Sequence, residues 1–434
     1  MREFGFVKRF AAKFMRLTQL DAIWTWLSGR LWLRPAFFCL VAVAVVGLAT
    51  LTDRILPGDV WFEVSQQAIK DLLSIIASTM LAVAIFSVSV MNSSYASAIN
   101  STTPRAFEIV VADNSTKQAL SSFIGAFIFA VVGIIGINFS SFGDAGRMVM
   151  FLMTLWVFAW VIGTFVYWID YVTRLGQMRS VVQRVATAAE KSLFTYLQSP
   201  AGGGKLVEMN RTPPLGAAPI LAERGGVIRF NRVDDLLHIA DAHGVEIDVV
   251  KRTGSLIGAN DPLCHVSGLV PDEALTKSIR SCFVISGERD PVQDPDMTLR
   301  LLAEIADKAL SPGVNDPGTA TDVLDAMVLV FTKAFTRAAD SEKSDEDDRV
   351  RIPPFSPEQL IGAAYEQIAR DGAGLVEVAV RLQKSLSAIT QVLPEDWKSA
   401  ARQHGKWALE RAETTLKHEW ERERVRQAAR WTEG

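Results

Sequence analysis

The sequence contains little of the chemistry on which most enzymes and metal proteins rely. Its 434 residues include 5 histidines and 3 cysteines. Cys39, Cys264 and Cys282 show no paired spacing, so neither a disulfide framework nor a zinc site is indicated. The histidines are scattered, and there is no GxSxG, P-loop or GxGxxG motif. We therefore expect no enzyme, no catalytic residue, no metal and no cofactor.

A strong charge of either sign is also lacking. The chain carries 45 basic and 48 acidic residues, a net charge of −3, which gives no case for nucleic-acid binding. Residues 173–434 contain no long apolar run, whereas four such runs precede them: 36–51, 72–91, 120–139 and 148–172. A hydrocarbon core of ~30 Å needs about 20 apolar residues. The first run is short, and a start at 31–32 would lengthen it.

Lysine and arginine predict the orientation of these runs. They cluster before the first run, recur between the second and third, and follow the fourth, whereas the other two loops hold only Arg54, Lys70 and Arg147. The positive-inside rule then predicts a multi-pass protein with both termini in the cytoplasm. The lipid bilayer is one of its expected partners. The predicted fold class is an α-helical membrane protein with four transmembrane helices, followed by a cytoplasmic α+β domain (a small β barrel-sandwich-like module plus helices).

Changes in composition divide the chain further. Gly202–Gly204 marks a linker, and short β-like runs at 226–230 and 245–250 flank a helix at 233–242. Later patterns are mostly helical, with helices predicted at 297–310 and 319–338. The predicted segments are an amphipathic N-terminal segment (1–34), the transmembrane domain (35–173), a helix with the Gly linker (174–204), a β-rich module (205–270), a helical core with Asp-Pro loops (271–339), an acidic loop (340–356) and a helical tail (357–434).

The second apolar run is not uniformly apolar. At about 100° per residue, one helical face collects small and hydroxyl side chains, and this face continues to the polar residues 92–103. Two interpretations compete: close helix packing, or a water-lined path in which hydroxyls replace part of an ion's hydration shell. The candidate pore-lining residues are Ser74, Ser78, Ser89, Asn92, Ser93, Ser97 and Asn100, with Pro104 and Arg105 at the cytoplasmic mouth.

No ionisable residue lies in the middle of a predicted span, which argues against ion-coupled transporters and pumps. In a symmetric oligomer Arg105 would recur as a ring of positive charge that attracts anions. Alternatively, it is an ordinary positive-inside arginine.

Turn residues are densest in two strings, GERDPVQDP at 287–295 and ALSPGVNDPGTA at 309–320. Asp-Pro pairs favour turns, Asp294 or Pro295 can begin one helix, and Thr319 can cap the next. Alternatively, Asp290, Asp294 and Asp316 with Asn315 converge on a cation. The candidate residues of this motif are Arg289, Asp290, Asp294, Ser311, Asn315, Asp316 and Thr319.

These two strings resemble the signature of a bacterial predicted-membrane-protein family, domain of unknown function 2254. The resemblance covers about residues 32–335 and includes Phe86-Ser87 and Thr103-Pro104-Arg105, where the family usually has Ser-Pro-Arg. It implies an integral membrane protein of bacteria, here of the cytoplasmic (inner) membrane, and implies no reaction. The tail after residue 352 shows no resemblance.

The first hypothesis is therefore a homo-oligomeric channel or pore-like protein, lined by the second span, with inorganic ions as further partners and a cytoplasmic domain that assembles or gates it. A second hypothesis is a membrane-anchored sensor or scaffold. A third is a metal-dependent membrane enzyme that uses the Asp-Pro loops.

Overall fold

The computed structural model describes residues 33–55, 64–101, 103–106, 115–139, 142–175, 178–208, 212–341 and 346–433. These residues fall into two compact units. The membrane unit comprises residues 1–98 and 111–177, and the C-terminal unit comprises 99–110 and 178–434. The predicted N-terminal segment 1–34 lies outside the described residues, apart from its last two positions.

The membrane unit contains four long helices: α1 (Leu33–Ile55), α2 (Gln66–Ser101), α3 (Ser115–Phe139) and α4 (Asp144–Leu175). Each includes a segment long and apolar enough to cross a bilayer, which confirms the four predicted spans. The first helix begins before the predicted position 36.

Helix α3 is the centre of the membrane unit. Half of its apolar segment is buried (50%), compared with 17–22% for the other three. A Cβ atom at Gly136 would lie 2.7 Å from Cγ2 of Val46, so α1 and α3 approach closely where glycine leaves room. Helix α2 begins beside the end of α3. The Gln66 Nε2 atom donates a hydrogen bond of 2.9 Å to the Ile137 carbonyl there.

The C-terminal unit mixes helices and strands. Its elements in chain order are α5 (Met178–Gln198), β1 (Gly204–Leu206), β2 (Ala218–Leu221), β3 (Gly226–Asn231), α6 (Val233–His243), β4 (Glu246–Val249), β5 (Leu256–Ile257), β6 (Pro262–Ser267), α7 (Glu273–Ser281), β7 (Phe283–Ser286), α8 (Pro295–Leu310), α9 (Pro317–Ala339), β8 (Asp347–Ile352), α10 (Pro357–Asp371), α11 (Val376–Ile389), α12 (Glu395–Thr415), α13 (Glu419–Ala429) and a 3₁₀ turn (Arg430–Glu433).

The strands form a five-stranded sheet, ordered β1-β8-β4-β6-β2, and a three-stranded sheet, ordered β5-β3-β7. Strand β8 runs parallel to β1 and β4, and the other pairs are antiparallel. This arrangement does not confirm a barrel-sandwich. It does confirm an α/β region after the four membrane helices.

Two strands lie where none was expected. Strand β8 occupies part of the segment predicted as an acidic loop (340–356), and β7 lies within the predicted helical core (271–339). In β8, Val350 and Ile352 turn inward, while Arg351 Nε donates to Asp248 Oδ1 at 2.6 Å across the pair with β4. Such pairing joins residues about 100 positions apart and has no local sequence signal.

Helices α5 and α8–α12 share one hydrophobic core, so the predicted core and tail segments pack as one body. Leu324 of α9 and Tyr365 of α10 are both buried in it. The Tyr365 hydroxyl lies 2.9 Å from Ser385 Oγ, and Ser385 Oγ donates to the Leu324 carbonyl at 3.0 Å. The buried hydroxyls of Tyr365 and Ser385 are thus satisfied.

Candidate functional site

The polar stripe of α2 lies on the outer surface of the membrane unit. The buried side of the helix is formed by Leu73, Ile76 and Ala84, each at most 5% exposed. The stripe lies on the opposite side at about 100° per residue. Exposed apolar residues, including Ile75 and Ile85, interrupt it. All candidate pore-lining residues whose side chains are described are exposed: Ser74, Ser78, Ser89, Asn92, Ser93 and Ser97. The side chain of Asn100 is outside the described set.

The hydroxyls in the membrane part of the stripe are bonded within the helix. Ser78 Oγ donates to the Ser74 carbonyl at 2.9 Å, and Ser89 Oγ donates to the Ile85 carbonyl at 3.3 Å. These bonds reduce the cost of lipid contact and leave the hydroxyl oxygens free to accept. The exposed Asn92 amide makes no hydrogen bond with another described residue.

One polar pair inside the membrane unit was missed at the sequence level. Ser87 lies on the buried side of α2, and Trp168 lies on α4, each 2% exposed. Ser87 Oγ and Trp168 Nε1 have no hydrogen-bond partner among the described residues. The Phe86-Ser87 pattern was the available sequence signal for Ser87. Ser87 lies on the face of α2 opposite the polar stripe.

The predicted mouth residues belong to the C-terminal unit. Ala106 is fully buried in that unit's helical core, and its N–H donates to Thr103 Oγ1 at 3.3 Å. Pro104 is exposed. The Arg105 side chain is 72% exposed and pairs with Glu304 of α8 at 3.3 Å. A ring of Arg105 side chains would therefore be partly neutralised by Glu304.

Helix α8 connects the two motif strings. GERDPVQDP ends at its first turn, and ALSPGVNDPGTA begins in its last turn. The middle of the helix contacts the Thr103–Ala106 segment through Glu304, and Lys308 Nζ donates to the Ile99 carbonyl at 3.4 Å. The two strings thus flank the helix that contacts Ile99 and Arg105 of the same unit.

At the start of α8, Arg289 bridges two buried carboxylates. Its Nε and Nη2 donate to Asp294 at 2.5 and 2.7 Å, and Nη2 also donates to Asp296 at 2.7 Å. Asp294 is 0% exposed and Asp296 is 3% exposed. Asp296 also accepts from Arg300 at 3.1 Å. Buried charges require such pairing, so this cluster is a structural clamp.

Burial and hydrogen bonding oppose each other in this clamp. Burial tends to raise the pKa of Asp296, but the bond from Arg289 and the charges of Arg300 and Arg289 hold that pKa below its ordinary value. For Asp294 burial prevails over the Arg289 bonds and raises the pKa. Asp294 also caps α8, since it accepts the Met297 N–H at 3.1 Å.

Gly254 connects the clamp to the loop between β4 and β5. Its φ is +86°, a left-handed conformation that favours glycine. A Cβ atom here would overlap Asp294 Oδ2 and would lie 2.9 Å from Arg289 Nη2. The loop backbone therefore lies directly on the Arg289–Asp294 pair.

Asp290 stays outside the clamp. Its Oδ1 accepts the Val292 N–H at 2.8 Å, which forms a local turn. Its Oδ2 pairs with Arg229 at 3.5 Å.

The second string forms a tight turn between α8 and α9. Ser311 Oγ donates to the Lys308 carbonyl at 2.6 Å, and Asn315 adopts a left-handed φ of +49°. Asp316 caps α9, accepting from the Thr319 N–H at 3.1 Å and from Thr319 Oγ1 at 2.6 Å. The cap is thus Asp316 and not Thr319, because the helix already begins at Pro317.

The aspartates do not converge on a shared site. Asp294 caps the start of α8, whereas the Asp316 N–H bonds to Ala309 near its end, roughly 20 Å away at 1.5 Å per residue. Among the described residues there is no group of three His, Cys, Asp or Glu side chains that could hold a metal. The geometry therefore gives the metal-dependent enzyme hypothesis no support.

Comparison with known proteins agrees with this architecture. The profile of the family described as "Predicted membrane protein (DUF2254)" matches residues 28–388. The match extends beyond the resemblance seen in the sequence and includes α10 and most of α11. Similar relatives are "Uncharacterized protein Mb1321c" of Mycobacterium bovis and "Uncharacterized protein Rv1290c" of Mycobacterium tuberculosis. Each is 24% identical over 391 residues, which is 86% of this chain and 74% of the relative.

No solved structure matches the chain significantly. The family match covers well over half of the sequence and includes both motif strings and all four membrane helices. The chain therefore belongs to the predicted membrane protein family DUF2254.

Proposed function

We propose that this protein is an oligomeric, pore-like membrane protein in which the α2 stripes of several copies face a shared axis. The observation that carries the proposal is the position of the stripe. It lies opposite the buried side of α2 and is exposed on the single chain. A sensor whose spans merely anchor it would be expected to bury such a stripe against its own third or fourth span.

The position of α2 within the membrane unit supports this proposal. Backbones of α1, α3 and α4 approach one another closely, whereas the α2 backbone stays farther from them. Only 22% of the apolar segment of α2 is buried, a share similar to those of α1 and α4. Membrane helices associate through small and hydroxyl residues, because lipid provides no hydrophobic drive between helices. The stripe is therefore a suitable contact surface for a second copy.

The length of α2 favours a wet axis over a dry interface. Its 36 residues span about 54 Å, well beyond a ~30 Å hydrocarbon core. The most polar part, Asn92 to Ser97, follows the apolar segment and has exposed amide and hydroxyl groups. Water along the axis would supply the hydrogen-bond partners that the exposed Asn92 amide does not find among the described residues.

Orientation completes the proposal. The lysine and arginine bias predicts that the C-terminal unit and both termini face the cytoplasm of a bacterial inner membrane. Inorganic ions are the proposed solutes. The absence of ionisable residues from the middle of the predicted spans supports a passive path and not a coupled transporter.

Cysteine crosslinking tests the oligomer. In a Cys39→Ala background, Ser78→Cys and Ser89→Cys should form intermolecular disulfides in membranes under mild oxidation. The control is Phe37→Cys on α1, which is 63% exposed but outside the stripe, and which should not crosslink. Cys264 and Cys282 should not interfere, because burial raises the pKa of both thiols. Equal crosslinking at all three positions would contradict a stripe-specific contact.

Ion flux tests the path itself. Purified protein in liposomes should release a trapped ion, and a charged thiol reagent should block this flux in Ser89→Cys but not in Phe37→Cys. If crosslinking occurs at the stripe while the liposomes release no ion, the stripe is a packing surface between copies and the pore proposal is wrong.

A further inference from the structure

A cleft of about 530 Å³ opens in the C-terminal unit beside the first motif string. This volume lies within the range of roughly 300–1,000 Å³ typical of small-molecule sites. Helix α5, the end of β3, the β4–β5 loop and the motif string contribute its walls. Polar lining residues include Ser192, Tyr196, Asn231, Arg252, Thr253 and Gln293.

Arg252 is partly buried and forms no salt bridge with a described carboxylate, although the Tyr196 side chain and the charge of Asp294 act on it. Its Nη1 donates to the Pro353 carbonyl at 2.9 Å, and the guanidinium lies 3.4 Å from the centre of the Phe355 ring. It has no ion pair with any described carboxylate, and its Nε is buried without a hydrogen-bond partner. Burial lowers its pKa to about 10, so it remains charged at neutral pH.

Two other arginines of the same unit show the usual arrangement. Arg289 is held by Asp294 and Asp296, and Arg351 donates to Asp248 and Glu246, each at 2.6 Å. Paired carboxylates offset the loss of hydration in both cases. Arg252 has aromatic neighbours and one carbonyl instead, and the charge of Asp294 acts on it without a salt bridge, so its positive charge is less compensated than that of the other two arginines.

Unpartnered acceptors and donors gather at the same cleft. Ser192 Oγ is buried, with the residue 1% exposed, and has no hydrogen-bond partner among the described residues. Asn231 Oδ1 is likewise buried and unpartnered. Buried polar atoms are nearly always satisfied in folded proteins. Both residues line the same cleft as Arg252, and their closed-off oxygens become available to a ligand there when the two side chains turn toward the cleft.

We propose that this cleft binds a small soluble anion whose carboxylate or phosphate group pairs with Arg252 and whose hydroxyls bond to Ser192 and Asn231 once these two side chains turn toward the cleft. Asp234, exposed on the facing α6 terminus, can accept from a further hydroxyl of the ligand. The site is separate from the α2 stripe and does not depend on the proposed pore. Gly254 sets the position of the Arg252 loop against the Arg289 clamp, which explains why the motif string lies beside the cleft.

Calorimetric titration of the full chain in detergent tests this site. Inorganic phosphate, glycerol 3-phosphate and succinate serve as probes, and they distinguish phosphate from carboxylate recognition. At least one should bind saturably, with affinity that falls as salt rises. Arg252→Gln should weaken binding at least tenfold, Arg252→Lys at least threefold through loss of the planar fork, and Ser192→Ala at least twofold.

Arg337→Gln is the matched control. Arg337 also lies over an aromatic ring, Phe194 at 4.1 Å, but it is already paired with Glu190. This variant should bind like the parent chain. Absence of saturable binding by all three probes, or equal binding by Arg252→Gln and the parent, would overturn the proposal. Ser192→Ala removes a single oxygen atom. Its binding affinity for the probes tests the site if Arg252→Gln does not fold.

Discussion

The two units both bury apolar residues but differ in what they expose. The C-terminal unit encloses a large apolar core and pairs several of the polar groups that it buries, as in Arg289–Asp294 and Tyr365–Ser385. The membrane unit exposes large apolar residues such as Leu40 and places small residues such as Gly136 at its internal contacts. Water drives apolar groups inward, whereas lipid does not, so close packing must hold the membrane helices together. A polar stripe on the outside of α2 conflicts with a lipid surround, and this conflict motivates the oligomer.

Breaking the Arg289 clamp should have the largest effect. Arg289→Met leaves Asp294 and Asp296 buried without their main partner, which should cost about 3–5 kcal/mol of folding free energy. Denaturant unfolding of the C-terminal unit, followed by tryptophan fluorescence, measures it. Arg381→Met removes an exposed pair with Asp325 and should cost about 0–1 kcal/mol. Similar losses of unfolding free energy in both variants would show that the buried clamp contributes no more than an exposed ion pair.

Overfilling the α1–α3 contact should come next. Gly136→Ala places a methyl group against Val46 and should destabilise the membrane unit by about 1–3 kcal/mol. Gly47→Ala meets nothing within 4 Å and should be neutral or stabilising, because alanine favours helix. Reversible unfolding in mixed detergent compares the two. If Gly136→Ala is as stable as Gly47→Ala, the helices can move apart without loss.

His404 tests how dry the C-terminal core is. Burial lowers its pKa, and its Nε2 lies 3.3 Å from the Glu358 carbonyl. The unfolded chain takes up a proton near pH 6.5 while the folded chain resists it, so stability should fall as pH drops below about 6.5. When the pH is lowered from 7 to 5, the denaturant concentration at the unfolding midpoint of the parent should therefore decrease. The midpoint of His404→Gln should decrease less. His238→Gln, at an exposed position, should keep the parental slope.

The smallest effect on folding should come from the stripe. Ser78→Leu changes an exposed position and should alter the unfolding free energy by less than about 0.5 kcal/mol. Its effect should appear in the oligomer, where light scattering in detergent should show smaller particles. The control Val166→Leu, also exposed in the membrane unit, should leave particle size unchanged. A strong loss of folding stability in Ser78→Leu would mean that the stripe packs within its own chain.

Features with a local cause were predictable from the sequence. The four membrane helices follow from apolar length, and Asp294 acts as a helix cap at a predicted turn. The stripe and its opposite apolar side follow from helical periodicity. Pairing between distant segments was not predictable, as β8 shows. Its six residues, flanked by an acidic run, give too little periodicity to be distinguished from a loop.

The candidate site shows the same division. Sequence patterns singled out Arg289 and Asp294 as residues of interest, but only the fold shows that they form a clamp with Asp296 and support Gly254. Arg252 carried no motif at all. Its importance depends on which carboxylates lie within reach, and tertiary packing alone determines that.

The sequence by itself therefore determined the membrane class, the number of spans, the polar face of α2 and the turns that frame α8. These properties depend on residues within one or two helical turns of each other. The tertiary structure decided that the polar face of α2 is exposed, that the aspartates lie at opposite ends of a helix, and that Arg252 forms no salt bridge with a described carboxylate. Each of these depends on contacts between segments far apart in the chain. Helix propensity, turn preference and periodicity act over neighbouring residues and do not predict such contacts.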